Sequence, residues 1–451
     1  MSDVQVSRDD SVALLRHPPA TRMEAAADVP TLAAQRAAAE RELLLSGLPG
    51  RKDEAWRFTS VRSVLEITPE APADLFMLDR VGASARELFP NAGMVLPIVD
   101  GVPLVTAVST LPDGVQLIAL DDAHRAGVAA EPVVLTRERH FRALNTARFE
   151  RGALLRIAGE QQAAIHLVYL STGTSVAHAK VHVEVAPGAS ASVVEHFVGQ
   201  PGASVRTSQS VDDPRKDVLL NAVTDVRVGK NAELEHVRVH RSAQHLLGEV
   251  AVEVHRDARY RSRVVTLGGP LMRLGLHVAL VGEGGSATLE GAYHVDGRDH
   301  VDHHTLVEHR ASRCESREDY RGVIDQHGTA VFDGIAWVHR AALVSEAHQQ
   351  NRNLLLTETA TVHTKPHLEI DTDSVVASHG ATVGSLDEDQ VFYLRSRGLR
   401  DGQARALLTF AFVRELLERV SDEATRTRAM QDMAARLPDG AGLLELFQEV
   451  P

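Results

Sequence analysis

The chain has 451 residues, long enough for about three average domains or for one large β unit with smaller attachments. Its 44% apolar and 24% charged residues suit a globular protein, and with aromatics at 4% the core must be filled by aliphatic side chains. Acids outnumber bases 61 to 48, a net charge of −13, which argues against nucleic acid or an anionic membrane surface as partner.

The single cysteine, Cys314, allows no intramolecular disulfide and fits a reducing compartment. One thiol cannot supply the four thiolates that usually hold an iron–sulfur cluster, nor a cysteine-rich zinc site. A lone cysteine is most simply a small core residue. The first ten residues are polar and lack an apolar run, so a cytoplasmic protein without a secretory signal is expected. The nearly uncharged stretch Asn91–Pro112 is broken by Pro97, Asp100, Gly101 and Pro103, which excludes a membrane span.

In chain order, about thirty polar, alanine-rich residues come first and read as loosely ordered. T-L-A-A-Q-R-A-A-A-E-R-E-L-L-L-S-G-L-P-G then predicts a helix with Thr31 as N-cap, stopped by Gly47 and Pro49. V-L-P-I-V-D-G-V-P-L-V-T-A-V predicts a hairpin near 94–107 turning at Asp100-Gly101, its prolines placing it at a sheet edge. From about Ala153 the pattern has period two for more than 200 residues. It sets Val181, Val183 and Val185 on one face, and likewise Leu274, Leu276, Val278 and Leu280.

A degenerate repeat runs through this region: a turn, a small residue, apolar positions, then an acid followed by His or Gly. Its acids are Glu195, Glu235, Glu290 and Asp333, at intervals of 40, 55 and 43 residues. With no Trp-Asp signature, a β-solenoid is favoured over a sandwich. Arg259, Arg261 and Arg263 alternate onto one face of a strand and read as solvated.

The last ~65 residues predict helices. Ser385-x-x-Glu388 matches a capping box and Gly398 a C-terminal stop. A second helix starts at Asp401, with Ala404, Leu407, Leu408, Ala411, Leu416, Leu417 and Val420 as its apolar stripe. A third spans Glu423 to Arg436. The fold expected is mainly β: a solenoid core at 126–384, an N-terminal helical and mixed region at 1–125 and a C-terminal helical domain at 385–451.

Chemistry is sparse. No phosphate loop, G-x-S-x-G elbow or H-E-x-x-H motif is present. Histidines are numerous, 23 in all, and densest from His294 to His309. There His303 and His304 point to opposite strand faces, so His300, Asp302 and His304 are the one compact donor set, for a metal or for a solenoid hydrolase or lyase. Solvated polar side chains on an outer face explain them more simply. His379, in S-H-G-A-T-V-G, stands where strand pattern gives way to helix; by itself it reads as a histidine hydrogen-bonded at that junction.

C-E-S-R-E-D-Y-R-G-V-I, Q-Q-N-R-N-L-L-L, T-K-P-H-L-E-I and S-H-G-A-T-V-G-S-L-D-E-D-Q-V-F-Y-L-R-S-R-G-L, in this order, resemble the SufB/SufD family of the SUF iron–sulfur cluster assembly machine. The likeness is dense from about His300 to Arg419 and thinner upstream, where R-K-D-E-A-W-R-F-T is similar to the family's N-terminal signature. SufB-type chains carry His-Glu where this one has His379-Gly380, and a cysteine near Thr359, so the blocks have the SufD form. The cysteine shortage opposes a SufB-type scaffold.

The resemblance implies a right-handed parallel β-helix core between helical ends, acting as a non-catalytic subunit. It implies pairing with SufB, binding of the SufC ATPase through the C-terminal helices, and a nascent iron–sulfur cluster or iron shared with SufB, with none held tightly by this chain alone. His379 would be a ligand at the SufB interface, and Asp389, Phe392, Tyr393, Arg395 and Arg397 would contact SufC. A homodimer is conceivable where SufB is absent. Some SufD chains have a cysteine two residues before that histidine; here Ala377 takes the position.

Overall fold

The computed structural model describes residues 29–440 and 443, except 51, 68–74, 90–91, 130–131, 136, 138–139, 174–175, 200–217 and 242–243. The expectation for the first thirty residues falls almost wholly outside these. Helices α1 (Pro30–Ser46), α2 (Arg62–Leu65) and α3 (Leu75–Leu88) precede strands β1 (Met94–Val99), β2 (Val102–Pro103) and β3 (Val115–Ala119). Two more helices follow, α4 (Leu120–Arg125) and α5 (His140–Arg148). Then come β4 (Gly152–Ile157), β5 (Ile165–Leu170), β6 (Val176–Val185), β7 (Ser190–Gly199), β8 (Leu219–Val228), β9 (Glu233–His240), β10 (His245–Val254) and β11 (Arg259–Leu267). The series continues with β12 (Met272–Leu280), β13 (Ser286–Val295), β14 (His300–His309), β15 (Glu315–Ile324), β16 (Thr329–Val338), β17 (Ser345–Leu355), β18 (Thr361–Ile370) and β19 (Val375–Gly384). Helices α6 (Glu388–Ser396), α7 (Asp401–Glu418) and α8 (Glu423–Arg436) follow.

The strands alternate between two sheets. One runs β19-β17-β15-β13-β11-β9-β7-β5-β1-β2 and the other β18-β16-β14-β12-β10-β8-β6-β4-β3. Every pairing from β4 to β19 is parallel, so the body is a parallel β-solenoid in which each coil adds one strand to each sheet. The two valine and leucine sets anticipated from alternation all face inward, in one core cluster shared by both sheets.

The true period differs from the sequence repeat. Glu233, Arg259, Ser286, Glu315 and Glu346 stand on one rung, 26 to 31 residues apart. The four repeat acids do not share a rung: Glu195, Glu235 and Glu290 lie in one sheet and Asp333 in the other. The turn-then-acid pattern recurs in both sheets, and the long segment between β7 and β8 stretches the interval. The glycine after the acid has a packing reason. A Cβ on Gly291 would stand 2.3 Å from the Tyr320 ring, and outside the repeat one on Gly322, after Arg321, would stand 2.1 Å from Tyr293. Each glycine lets the tyrosine of the neighbouring coil lie flat inside the solenoid.

The hairpin forms as expected, with Asp100 and Gly101 both at positive φ (46° and 81°), the backbone of a tight turn matched to strand twist. The first helix starts at Pro30 rather than being capped by Thr31, because a proline suits the first helical position. In α6 the cap is Asp387, whose carboxylate accepts from the Asp389 N–H at 2.9 Å, so the box predicted at Ser385 does not form.

Helices α7 and α8 lie across the outer face of the first sheet. Their buried residues, among them Ala406, Phe410, Val413, Leu417 and Met433, pack on Val194, Val237, Val239, Val265 and Val323. Of the expected stripe, Ala404, Leu416, Leu417 and Val420 are buried, while its middle departs. Leu407 and Leu408 are half-buried and Ala411 is exposed, because a run apolar all round lets the bulky Phe410 choose the face. Helix α5 packs on the second sheet, where Phe141 and Leu144 meet Trp56, Leu219 and Leu247.

Candidate functional site

The solenoid's last coil is unlike the rest. In β17 the inward row Ser345, Ala347, Gln349, Asn351 and Asn353 is buried but largely polar. Beyond it, β19 offers Ala377, His379, Ala381 and Val383 in register with the last four, and among the described residues no further coil covers them. His379 is consequently exposed although it lies in the interior row. It sits within β19, which continues five residues to Gly384, and not at the strand–helix seam. Its imidazole makes no hydrogen bond with the described residues. A cavity of about 500 Å³ at this edge is lined by His379, Ser378, His348, Gln349, Glu318 and Arg419, among others.

One rung connects His379 to the interior: Ser262, Leu289, Glu318, Gln349, His379. Glu318 is 5% exposed, and burial drives its carboxyl up to about 7, against the pull of the neighbouring Thr305 and Gln349. Gln349 Nε2 donates to Glu318 Oε2 at 3.0 Å. Beside this row, Asn351 Nδ2 donates to the Tyr293 hydroxyl at 3.2 Å, and the Thr364 hydroxyl to Asn351 Oδ1 at 2.7 Å. Glu318 and Gln349 escaped sequence reasoning, although both lie in quoted motif blocks. The available signal was strict alternation through Ser316, Glu318 and Tyr320, which puts an acid on an apolar face.

Helix α6 leaves the open end and buries only Val391. Phe392 and Tyr393 are 71% and 56% exposed, an unusual display for adjacent aromatics. Arg397 lies over the Tyr393 ring at 5.2 Å and donates to its hydroxyl at 3.2 Å. Arg395 pairs with Asp401 at 3.4 Å, and Asp389 is exposed in the first turn. The sequence-chosen residues thus fall into two groups: His379 at the solenoid mouth, and the α6 residues on a helix just after it.

A family model described as the SUF system FeS cluster assembly, SufBD core domain, matches residues 168–412. The chain belongs to the SufBD family. Its likeness extends over most of its length to the iron–sulfur cluster assembly protein SufD of Escherichia coli K12, with 29% identity across 89% of this chain and 92% of that one. A SufBD family protein of Synechocystis is 28% identical over 86% and 87% of the two chains. One of Mycobacterium leprae is 34% identical over 47% and 55%. This SufBD chain is therefore tied to SUF iron–sulfur cluster assembly, and its sequence sides with SufD.

The N-terminal signature of the family finds its purpose in this fold. Arg273 lies over the Trp56 ring at 3.8 Å and pairs with Asp302 at 2.5 Å. The Thr59 hydroxyl donates to Asp302 at 2.5 Å and meets His300 Nε2 at 2.9 Å, while Asp302 also holds His304 at 2.9 Å. Phe58 stacks on His363 at 4.0 Å, and Glu54 pairs with Lys365 at 2.5 Å. The set His300, Asp302 and His304 is thus committed to strapping residues 54–59 onto the solenoid. Burial would raise the Asp302 carboxyl, but Arg273 and His304 hold it well below the usual range. Among the described residues no three His, Cys, Asp or Glu side chains gather to hold a metal ion.

The other histidines of the dense run are buried. His303 packs inside against Tyr293 and Tyr320, His309 bonds the Ser316 hydroxyl at 2.7 Å, and His294 lies unpaired with burial lowering it to about 3. Cys314 is 1% exposed, its thiol pushed up by burial, as suits a core residue. The arginine stripe is answered by acids on adjacent strands: Arg259 and Arg261 by Glu233, Arg263 by Glu235 and Glu290. No described helix is long and apolar enough to cross a membrane.

Proposed function

We propose that this chain is a non-catalytic subunit of a cytoplasmic SufB–SufC–SufD complex. Its open solenoid end pairs with a SufB-type subunit, and its C-terminal helices bind a SufC-type ATPase. His379 contacts the iron or nascent cluster at the junction, and this chain alone holds no cluster tightly. The observation carrying the reading is the unclosed last coil with His379 exposed in its interior row. Strands β18 and β19 leave edge groups of both sheets unpaired, a ready template for another chain. A neutral imidazole is a good donor to iron, and here nothing within the described chain competes for it.

On α6, Phe392 and Tyr393 supply an aromatic anchor, and Asp389, Arg395 and Arg397 surround it with charge, the pattern of an interface core and rim. ATP-driven movement of a partner on α6 would act within a few residues of β19. Co-expression with SufB- and SufC-type partners tests the reading. A stable ternary complex is expected, and Phe392→Ala with Tyr393→Ala is expected to lose the ATPase on the order of a hundredfold in affinity. His379→Ala should assemble normally yet carry less iron and sulfide. Isolation of this chain from the co-expression as a homodimer, free of both partners, would sink the proposal.

A further inference from the structure

The polar interior behind His379 holds oxygen atoms that packing alone leaves unexplained. Glu318 Oε1 makes no hydrogen bond; the Thr305 hydroxyl approaches the carboxylate without closing one. The Thr305 hydroxyl has only this carboxylate beside it, and the Gln349 amide oxygen has no hydrogen-bond partner. These three side chains are 5%, 4% and 6% exposed, and they come from both sheets. Among the described residues no basic side chain is paired with Glu318. Buried polar atoms are nearly always satisfied, and a carboxylate and an amide oxygen so sparsely met are the wrong signature for a settled core.

The strand opposite comes close to the carboxylate. Gly334 stands in register with Thr305, and a Cβ on it would come 3.1 Å from Glu318 Oε2 and 2.8 Å from the Phe332 ring. The donors are a carboxylate, an amide carbonyl and a hydroxyl. Such hard oxygens suit magnesium, manganese(II) or iron(II) and not the thiophilic ions. Gln349 already orients the carboxylate through its amide N–H, the supporting bond that an oxygen ligand normally receives.

We propose that Glu318, Gln349 and Thr305 form an inner holding site for one divalent cation of the iron(II) and manganese(II) class, one rung behind His379. The site rests on the reading of His379 as the residue that meets iron at the open end. The rung then forms a short route: imidazole at the mouth, amide oxygen next, carboxylate innermost. As iron(II) the ion would be cargo held before delivery to the partner subunit.

The test titrates the full-length chain anaerobically with manganese(II), reading free ion by electron paramagnetic resonance. Wild type should bind one ion per chain. Glu318→Gln keeps shape and should weaken binding on the order of ten- to a hundredfold, with its melting temperature unchanged or raised. Thr305→Val, which keeps the outline and removes the hydroxyl, should weaken it less. Equal binding by wild type and Glu318→Gln overturns the inner site. If His379→Ala alone then weakens binding, the ion stops at the mouth, and the assembly reading survives without the inner site. A wild-type chain that takes no manganese at millimolar concentration also overturns the inner site, while the co-expression experiment still decides the assembly reading.

Discussion

The two ends of the solenoid are finished differently. At the first end the sheets stop in antiparallel strands: β2 pairs antiparallel to β1, and β3 to β4. Pro103 lies on the outermost strand, where it offers no N–H to a further neighbour. All six residues of β1 are buried, and α3 packs on the hairpin through Leu78 and Ala85 against Val95, Val99 and Leu104. At the other end β18 and β19 stop in parallel register with no cap among the described residues, and no residue of β19 is fully buried. A parallel stack can grow without limit, so natural proteins cover or blunt its ends. Here one end is blunted and the other is left open to pairing, which is why the proposed partner is placed at the open end.

The two ends should differ most in stability. Ile98, on β1, is 1% exposed, and Ile98→Ala should cost about 2–5 kcal/mol in urea unfolding. Val376, on β19, is 61% exposed, and Val376→Ala should stay within about 0.5 kcal/mol. Similar losses at both positions would mean that the open end is as tightly built as the closed one.

The ends should differ next in association. Val376 and Val383 are both exposed apolar residues of the edge strand. Val376→Lys with Val383→Lys should leave the isolated chain's unfolding midpoint alone. Affinity for a SufB-type partner should drop on the order of a hundredfold, because charged edges resist strand pairing. Undiminished complex formation by the double variant would move the interface elsewhere.

How far the sequence announced this contrast depends on what each feature needs. The hairpin was legible because Asp-Gly and two prolines are local signals. The inward valine rows were legible because alternation is a property of the strand alone. The strap was not, since Thr59 meets Asp302 across 243 residues and only the fold brings them together. The same holds for the coil length, which register fixes and a degenerate repeat conceals. His379 stood out in the family's motif, yet that it belongs to the interior row follows from pairing with Gln349. Glu318 was hidden by its charge: an acid among arginines reads as solvated until the strand's face is known. The middle of α7 shows the reverse case, where too many apolar residues leave the buried face undecided until Phe410 docks in place of Leu407 and Leu408.

The smallest expected effect concerns the covered outer face, as opposed to either end. His294, on β13, is fully buried near Arg436 of α8, with Asp296 paired to that arginine at 3.3 Å and Asp299 also acting on it. Burial foremost, and Arg436 after it, lower the imidazole to about 3 from an ordinary 6.5. The sign follows directly. Below pH 6.5 the unfolded chain takes up a proton that the folded His294 refuses until about 3, so stability is full above 6.5 and falls as the medium is acidified. At about 1.4 kcal/mol per pH unit, this one group removes roughly 2 kcal/mol between pH 7 and pH 5. His294→Leu discards two orphan ring nitrogens, so it should be near neutral or stabilising at pH 7. Urea unfolding at both pH values should show the variant losing about 2 kcal/mol less than wild type on acidification. Part of the remaining loss belongs to His182, His303 and His309, which burial lowers to about 4, 3 and 4, and part to His196 and His240, which burial lowers well below the ordinary value. An equal loss in both chains would mean that water already reaches His294, and that the helical layer over this face is looser than its packing indicates.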